Sequence, residues 1–199
     1  MSGKTTVLEK MIEHFKTNGV DIIASPHVRE FSNMAPKERL ALYEDWKPED
    51  FTRQILLETR LRANYEDKTL NTHKIIVNDR GTITQIGFCL AKFVTEYEMN
   101  MPKAYETVNK INSIATLSIE DLSIVLDLPL DEALKRAEGK EIWYEHYQKL
   151  IENTDSAIKY LCIHLNDQTK STCVSGLMPR EDVAQKVINA VEGYLKNGK

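Results

Sequence analysis

Ser2-Gly3-Lys4-Thr5-Thr6 carries the residue types and spacing that hold the phosphates of a nucleotide. In the signature G-x-x-x-x-G-K-[ST], backbone N–H groups wrap the phosphates, the lysine reaches the outer ones and the hydroxyl sits on Mg²⁺. Gly3, Lys4 and Thr5 fill its last three places, and Ser2 and Thr6 flank them. A solvated tail of the same composition is the plain alternative. The residues downstream favour phosphate: Val7, Leu8, Met11, Ile12 and Phe15 recur at helical spacing and Asn18-Gly19 supplies a stop. Lys4 therefore falls in the first turn of an amphipathic helix, where free N–H groups and the dipole attract anions. The chain reads as entering this loop midway, so the expectation is truncation at the amino terminus, with one strand ahead of Ser2.

A second group is Asn78-Asp79-Arg80, where a buried strand gives way to a helix starting at about Thr82. A carboxylate there can hold Mg²⁺ or its waters, and the guanidinium next to it can bind phosphate in a bidentate fork. Helix capping by Asp79 with a solvated Arg80 is the competing reading. Arg60 and Arg62 lie on the preceding helix, and Arg29 lies after the first strand. Arginines near strand ends can share one anionic substrate, which their rigid geometry suits better than lysine's.

A third stretch, Leu126-Asp127-Leu128-Pro129 followed by Ala133-Leu134-Lys135-Arg136, is a strand, a proline turn and a new helix. Lys135, Arg136 and Lys140 then form a basic run ahead of Trp143-Tyr144. Such a segment over a nucleotide is a lid that excludes water, and a solvated helix end is the equal alternative.

The elements that must position these groups alternate in type. Residues 20–24, 74–78, 122–126 and 161–165 read as strands buried on both faces, with amphipathic helices between them. One helix opens at Pro48, Glu49 and Asp50 and runs to about Leu70; the last opens at Pro179, Glu181 and Asp182 and runs to about Lys196. The expected fold is α/β, a parallel sheet flanked by helices, with ligands bound beyond the carboxyl ends of the strands. Over 199 residues there is no repeat or linker that marks a second domain.

A net charge of −4 argues against a nucleic-acid or membrane-surface binder, so an anionic ligand must be held by local cations. Cys89, Cys162 and Cys173 lack zinc-ligand spacing and suit free thiols in a reducing cytosol. No apolar run reaches the ~18 residues of a membrane span, and a cytoplasmic location is expected. The five histidines are scattered, so packing is the expected role of each.

Taken in order, Ser2-Gly3-Lys4-Thr5-Thr6, Asp79-Arg80 and the stretch from Leu126 to Arg136 resemble thymidylate kinase, collinearly over essentially the whole chain. The resemblance implies the three-layer P-loop kinase fold with its first strand missing here, a single domain over residues 1–199 and a short lid at about 136–147. It implies transfer of the γ-phosphoryl group of ATP to dTMP, with ATP and Mg²⁺ required, no nucleic-acid partner and a homodimer as in many members. By position, Ser2 to Thr6 would bind ATP, with Lys4 on its outer phosphates. Thr5 and Asp79 would hold Mg²⁺. Arg29, Arg60 and Arg80 would hold the dTMP phosphate, Phe88 would lie near the thymine, and Tyr144, a further substrate-binding position, would form part of the lid with Glu145. Lys4, Asp79, Arg80 and Arg136 would be the catalytic set. Two positions depart from the pattern: Leu56 stands where members often stack a phenylalanine on the base, and Cys89 where a polar residue helps to select it. Members also use an arginine in the loop, at the place of Met1, or in the lid, which here offers Lys140 but no arginine after Arg136.

Two other functions fit parts of the pattern. A deoxynucleoside kinase uses a similar loop but wants a carboxylate base after the first strand, where this chain has Ser25-Pro26-His27 and, later, Glu30. A nucleotide-binding remnant without catalysis is the reading from another class.

Overall fold

The computed structural model describes residues 4–73, 75–136 and 148–197. Helix α1 (Lys4–Thr17) sets Val7, Met11 and Phe15 on one buried stripe, one turn apart. It ends where Gly19 takes a left-handed φ of 72°, and the N–H groups of Gly19 and Val20 close onto the carbonyls of Lys16 and Phe15 at 3.0 and 2.9 Å. β1 (Ile22–Ala24) follows and pairs in parallel with β2 (Ile75–Val77), Ile22 opposite Ile75. Between them run α2 (Pro36–Glu44) and α3 (Pro48–Tyr65), the latter closing in a π-turn over Glu66–Leu70. Next come α4 (Thr82–Tyr97), α5 (Met101–Ile111), β3 (Leu122–Asp127), α6 (Leu130–Lys135), α7 (Gln148–His164), β4 (Lys170–Ser175) and α8 (Arg180–Asn197). β3 and β4 form a second parallel pair, Leu122 opposite Lys170.

Apolar side chains divide into two layers around these strands. Val7, Met11 and Phe15 of α1 cluster with Val183, Val187 and Val191 of α8 and with strand residues of both pairs, from Ile22 to Val174. The larger core lies on the helical side, where Phe51, Ile55, Ile86, Leu90, Phe93, Leu161 and Leu165 are buried together. Each such side chain contributes roughly 1.5–3 kcal/mol by leaving water. The chain is thus α/β with parallel strands flanked by helices. Its two strand pairs are separate, and the inner strands β2 and β3 border one cavity of about 2040 Å³.

One strand expectation fails. Residues 161–165 belong to α7 and its exit, not to a strand: Leu161 and Leu165, four apart, are buried, whereas Ile163 is 77% exposed. That is a helical stripe with one apolar residue left in water, which a strand buried on both faces would not show. The fourth strand is Lys170–Ser175, a polar segment in which Val174 is the buried residue. The other three strand positions, the helix starts near Pro48 and Thr82, and the last helix fall where the spacing puts them. Among the described residues no helix is long and apolar enough to cross a membrane.

Candidate active site

The corner after β2 is the most constrained part of the site. Arg80 adopts a φ of 63°, a left-handed conformation that a non-glycine residue takes at a cost of about 1–2 kcal/mol. Its carbonyl accepts two side-chain donors, Arg62 Nη1 at 3.0 Å and Gln85 Nε2 at 3.1 Å, which offset that cost. The turn places the Arg80 guanidinium 5.4 Å from the centre of the Phe88 ring, a cation–π contact. Thr82 opens α4 with its N–H donated to the Glu120 carboxylate and its hydroxyl donated to the Ser118 carbonyl at 2.8 Å.

Lys4, His27, Arg29, Arg39, Asp79, Arg80 and Phe88 line the same cavity. They arrive from α1, the loop after β1, α2, the β2 exit and α4, so this cationic group and Asp79 gather near the carboxyl ends of β1 and β2. Although Lys4 keeps some exposed surface, the surrounding protein and the Arg80 charge push its ammonium below the ordinary 10.5, with Asp79 pulling the other way. His27 is lowered from 6.5 by burial first, then by Arg80 and Arg29. Cations crowded in this way favour a bound anion, whose charge would relieve their mutual repulsion.

Asp79 Oδ1 and Asn78 Oδ1 are buried acceptors with no hydrogen-bond partner among the described residues. An orphaned carboxylate oxygen in the corner where Lys4 and Arg80 also act on one another fits a divalent ion or its water shell. Among the described residues no cluster of three or more His, Cys, Asp or Glu side chains is built to cage a metal. Mg²⁺ is held through one or two carboxylates plus substrate phosphates and water, so a single protein carboxylate is enough for it.

The structure therefore brings together Lys4, Arg29, Asp79, Arg80 and Phe88. It moves others away. Leu56 is fully buried in the helical core and does not reach the cavity. Arg60 borders a separate small recess with Asn64 and Asp67 and donates to the Thr116 hydroxyl. Positions 60 and 62 are about 200° apart around a helix, so they cannot serve one site. Arg136 is bonded to Glu132 at 2.7 Å and to the Gly176 carbonyl at 3.1 Å, outside the cavity lining. Cys89 is fully buried beside Thr52 and is likewise outside it. Thr5 and Thr6 follow Lys4 in the first turn of α1 without lining the cavity. Ser2, Gly3, Tyr144, Glu145 and most of the expected lid lie outside the described residues.

Among the lining residues that the sequence does not mark are His27, Arg39 and Tyr43. His27, assigned to packing, sits two residues before Arg29 in the same loop, a proximity that was the available signal. Arg39 and Tyr43 come from α2, where nothing in the spacing marks them. Arg39 is held by the buried Glu58 carboxylate, which its Nη1 meets at 2.5 Å.

No family model matches the chain. A thymidylate kinase of Caldanaerobacter subterraneus subsp. tengcongensis is 26% identical over 211 aligned residues, covering 99% of this chain and 93% of that protein. Among solved structures, the deoxyadenosine kinase of M. mycoides with products dCMP and a flexible dCDP superposes with a TM-score of 0.65 at 16% identity, covering 97% of this chain and 95% of that one. The same enzyme with bound dATP gives 0.63 at 16% identity, covering 96% and 94%. The chain is similar to thymidylate kinase along nearly its whole length and has the fold of a P-loop nucleoside kinase.

Proposed function

We propose that the chain transfers the γ-phosphoryl group of ATP to dTMP, giving ADP and dTDP. The observation that carries this reading is the meeting of Lys4, Asp79 and Arg80 in one cavity at the carboxyl ends of parallel strands. An oxygen of the acceptor phosphate forms the new bond to the γ-phosphorus while the bond to the β,γ-bridging oxygen breaks and ADP leaves. Such a transfer asks for in-line positioning and for cations around spreading negative charge, with little covalent chemistry from the protein. Lys4, in the first turn of α1, would meet the outer phosphates of ATP. Arg80 and Arg29 would hold the acceptor phosphate, and Phe88 would lie against the base. Asp79 would hold Mg²⁺, which when bound neutralises phosphate charge and orients the transferring group.

The acceptor class rests on what His27 offers. Its Nδ1 accepts the Arg29 N–H at 3.2 Å, so the ring presents a donor rather than a base. A phosphate acceptor needs no base, because at neutral pH it is already a nucleophile. A sugar hydroxyl does need one. Glu30, the nearest carboxylate in this loop, is turned back onto the His27 N–H at 2.9 Å. The likeness to a deoxyadenosine kinase nevertheless supports a second reading, a deoxynucleoside kinase.

The deciding experiment measures ADP release with ATP and Mg²⁺ against dTMP, thymidine, deoxyadenosine and deoxycytidine. Turnover that depends on dTMP is the expected result. Faster turnover of a nucleoside would establish the second reading. Binding of ATP with no turnover of any acceptor would mark a non-catalytic nucleotide-binding protein.

A further inference from the structure

We propose that Arg62, buried in α3, is the positioning residue that sets Arg80 on the acceptor phosphate. The inference rests on the proposed function, in which Arg80 meets that phosphate. Arg62 does not touch the cavity, and its side chain is 2% exposed. Two of its nitrogens are committed elsewhere, Nη1 to the Arg80 carbonyl at 3.0 Å and Nη2 to the Thr82 hydroxyl at 3.4 Å, while Nε makes no hydrogen bond among the described residues. Glu66 lies 3.3 Å from its Nε and Glu120 lies 3.7 Å from its Nη2, so its charge is matched inside the protein. A guanidinium screened by two carboxylates and aimed at a peptide carbonyl is not a phosphate ligand. It is a clamp on the backbone.

The clamp acts where the backbone needs holding. Arg80 at a φ of 63° lies above the β or α region in energy and persists only if its surroundings over-determine it. Relaxation to negative φ would rotate the peptide and swing the side chain off the Phe88 ring. Gln85 shares the Arg80 carbonyl at 3.1 Å, and Glu120 ties the next residues through the Thr82 N–H. Arg62 is the member that joins all of these, because among the described residues it alone reaches Arg80, Thr82, Glu66 and Glu120.

The test compares the wild-type chain with Arg62→Met, Arg62→Lys, Arg80→Ala and the double variant Arg62→Met/Arg80→Ala. Affinity for dTMP and for a non-hydrolysable ATP analogue is read by calorimetry. The ring-current shift of the labelled Arg80 side chain over Phe88 is read by NMR with no nucleotide present. Arg62→Met should weaken dTMP by about tenfold or more, leave the ATP analogue within about twofold, and move the Arg80 resonances toward their solvent-exposed positions. Arg62→Lys should fall between. In the Arg80→Ala background, Arg62→Met should add less than about twofold, since a residue acting through Arg80 has nothing left to act on. A folded Arg62→Met protein with unchanged Arg80 resonances overturns the proposal, as do additive losses in the double variant. If Arg62→Met does not fold, Gln85→Ala, which removes the other donor to the same carbonyl, must move the Arg80 resonances in the same direction. Failure of the wild type to bind dTMP overturns the acceptor reading. The nucleotide-free Arg80 shift still decides whether the clamp exists.

Discussion

His27 accepts the amide N–H of Arg29 through Nδ1 at 3.2 Å, which assigns its remaining proton to Nε2. Burial, Arg80 and Arg29 hold its folded-state pKa below 6.5. The neutral ring therefore stays in the folded protein over a range where the unfolded chain takes up a proton. Stability from this group is full above about pH 6.5 and is lost as pH falls through the lower folded value. Thermal unfolding between pH 7.5 and 5 should show this decline, and His27→Gln should flatten it. An equally steep decline in the variant would place its source in other groups.

Arg39 and Glu58 form a buried ion pair beside the cavity, with side chains 16% and 1% exposed. Gln54 Nε2 adds a donor to the same carboxylate at 2.6 Å. Removing Arg39 alone leaves an uncompensated buried charge, so Arg39→Met should lower stability by about 3–5 kcal/mol. Arg39→Met/Glu58→Met removes both charges and should lower it by distinctly less. Urea unfolding of the four proteins closes the cycle. Additive losses would mean that the two side chains are not energetically coupled.

The three cysteines should separate by reactivity. Burial pushes the Cys89 thiol up to about 12 and also raises that of Cys162, whereas Cys173 is exposed. The thiolate is the reactive species, so at pH 8 a disulfide reagent should label Cys173 first, Cys162 more slowly and Cys89 only on unfolding. Mass spectrometry of timed digests reads the order. Early labelling at Cys89 would show that α4 opens next to Phe88, which borders the cavity.

What was legible in the chain depended on whether the information was local. Val7, Met11 and Phe15 declare their helix because period and burial coincide, and Asp79-Arg80 stands out because it follows an apolar run and precedes a helix. The stretch from Leu161 to Leu165 misled because five mainly apolar residues in a row fit either a buried strand or the end of a helix. Length and the exposure of Ile163 settle it, and only the first was visible. Lys170–Ser175 was overlooked because four of its six residues are exposed, which erases the apolar signature of a strand. In the site, Arg60 and Arg62 could not be ranked from spacing alone. Only packing reveals that the first turns outward to Thr116 while the second passes beneath Arg80. Arg39 and Glu58, nineteen residues apart, meet through the fold and leave no local trace.

Gly81 joins these layers of constraint at one atom. A Cβ added there would overlap the Glu120 carboxylate, the group that accepts the Thr82 N–H at the start of α4. At a φ of −62° the backbone itself would tolerate alanine, so any penalty must come from that collision. Gly81→Ala should push Glu120 away and leave the amide without its charged partner, a loss of about 1.5–3 kcal/mol. Glu120→Ala should cost a similar amount by removing the acceptor directly. The two effects act on one contact, so Gly81→Ala/Glu120→Ala should be no less stable than Glu120→Ala alone, and denaturant unfolding of the set can show it. A Gly81→Ala protein as stable as wild type would mean that Glu120 finds another way to reach Thr82, and the corner that carries Arg80 would then owe its geometry to Arg62 and Gln85 instead.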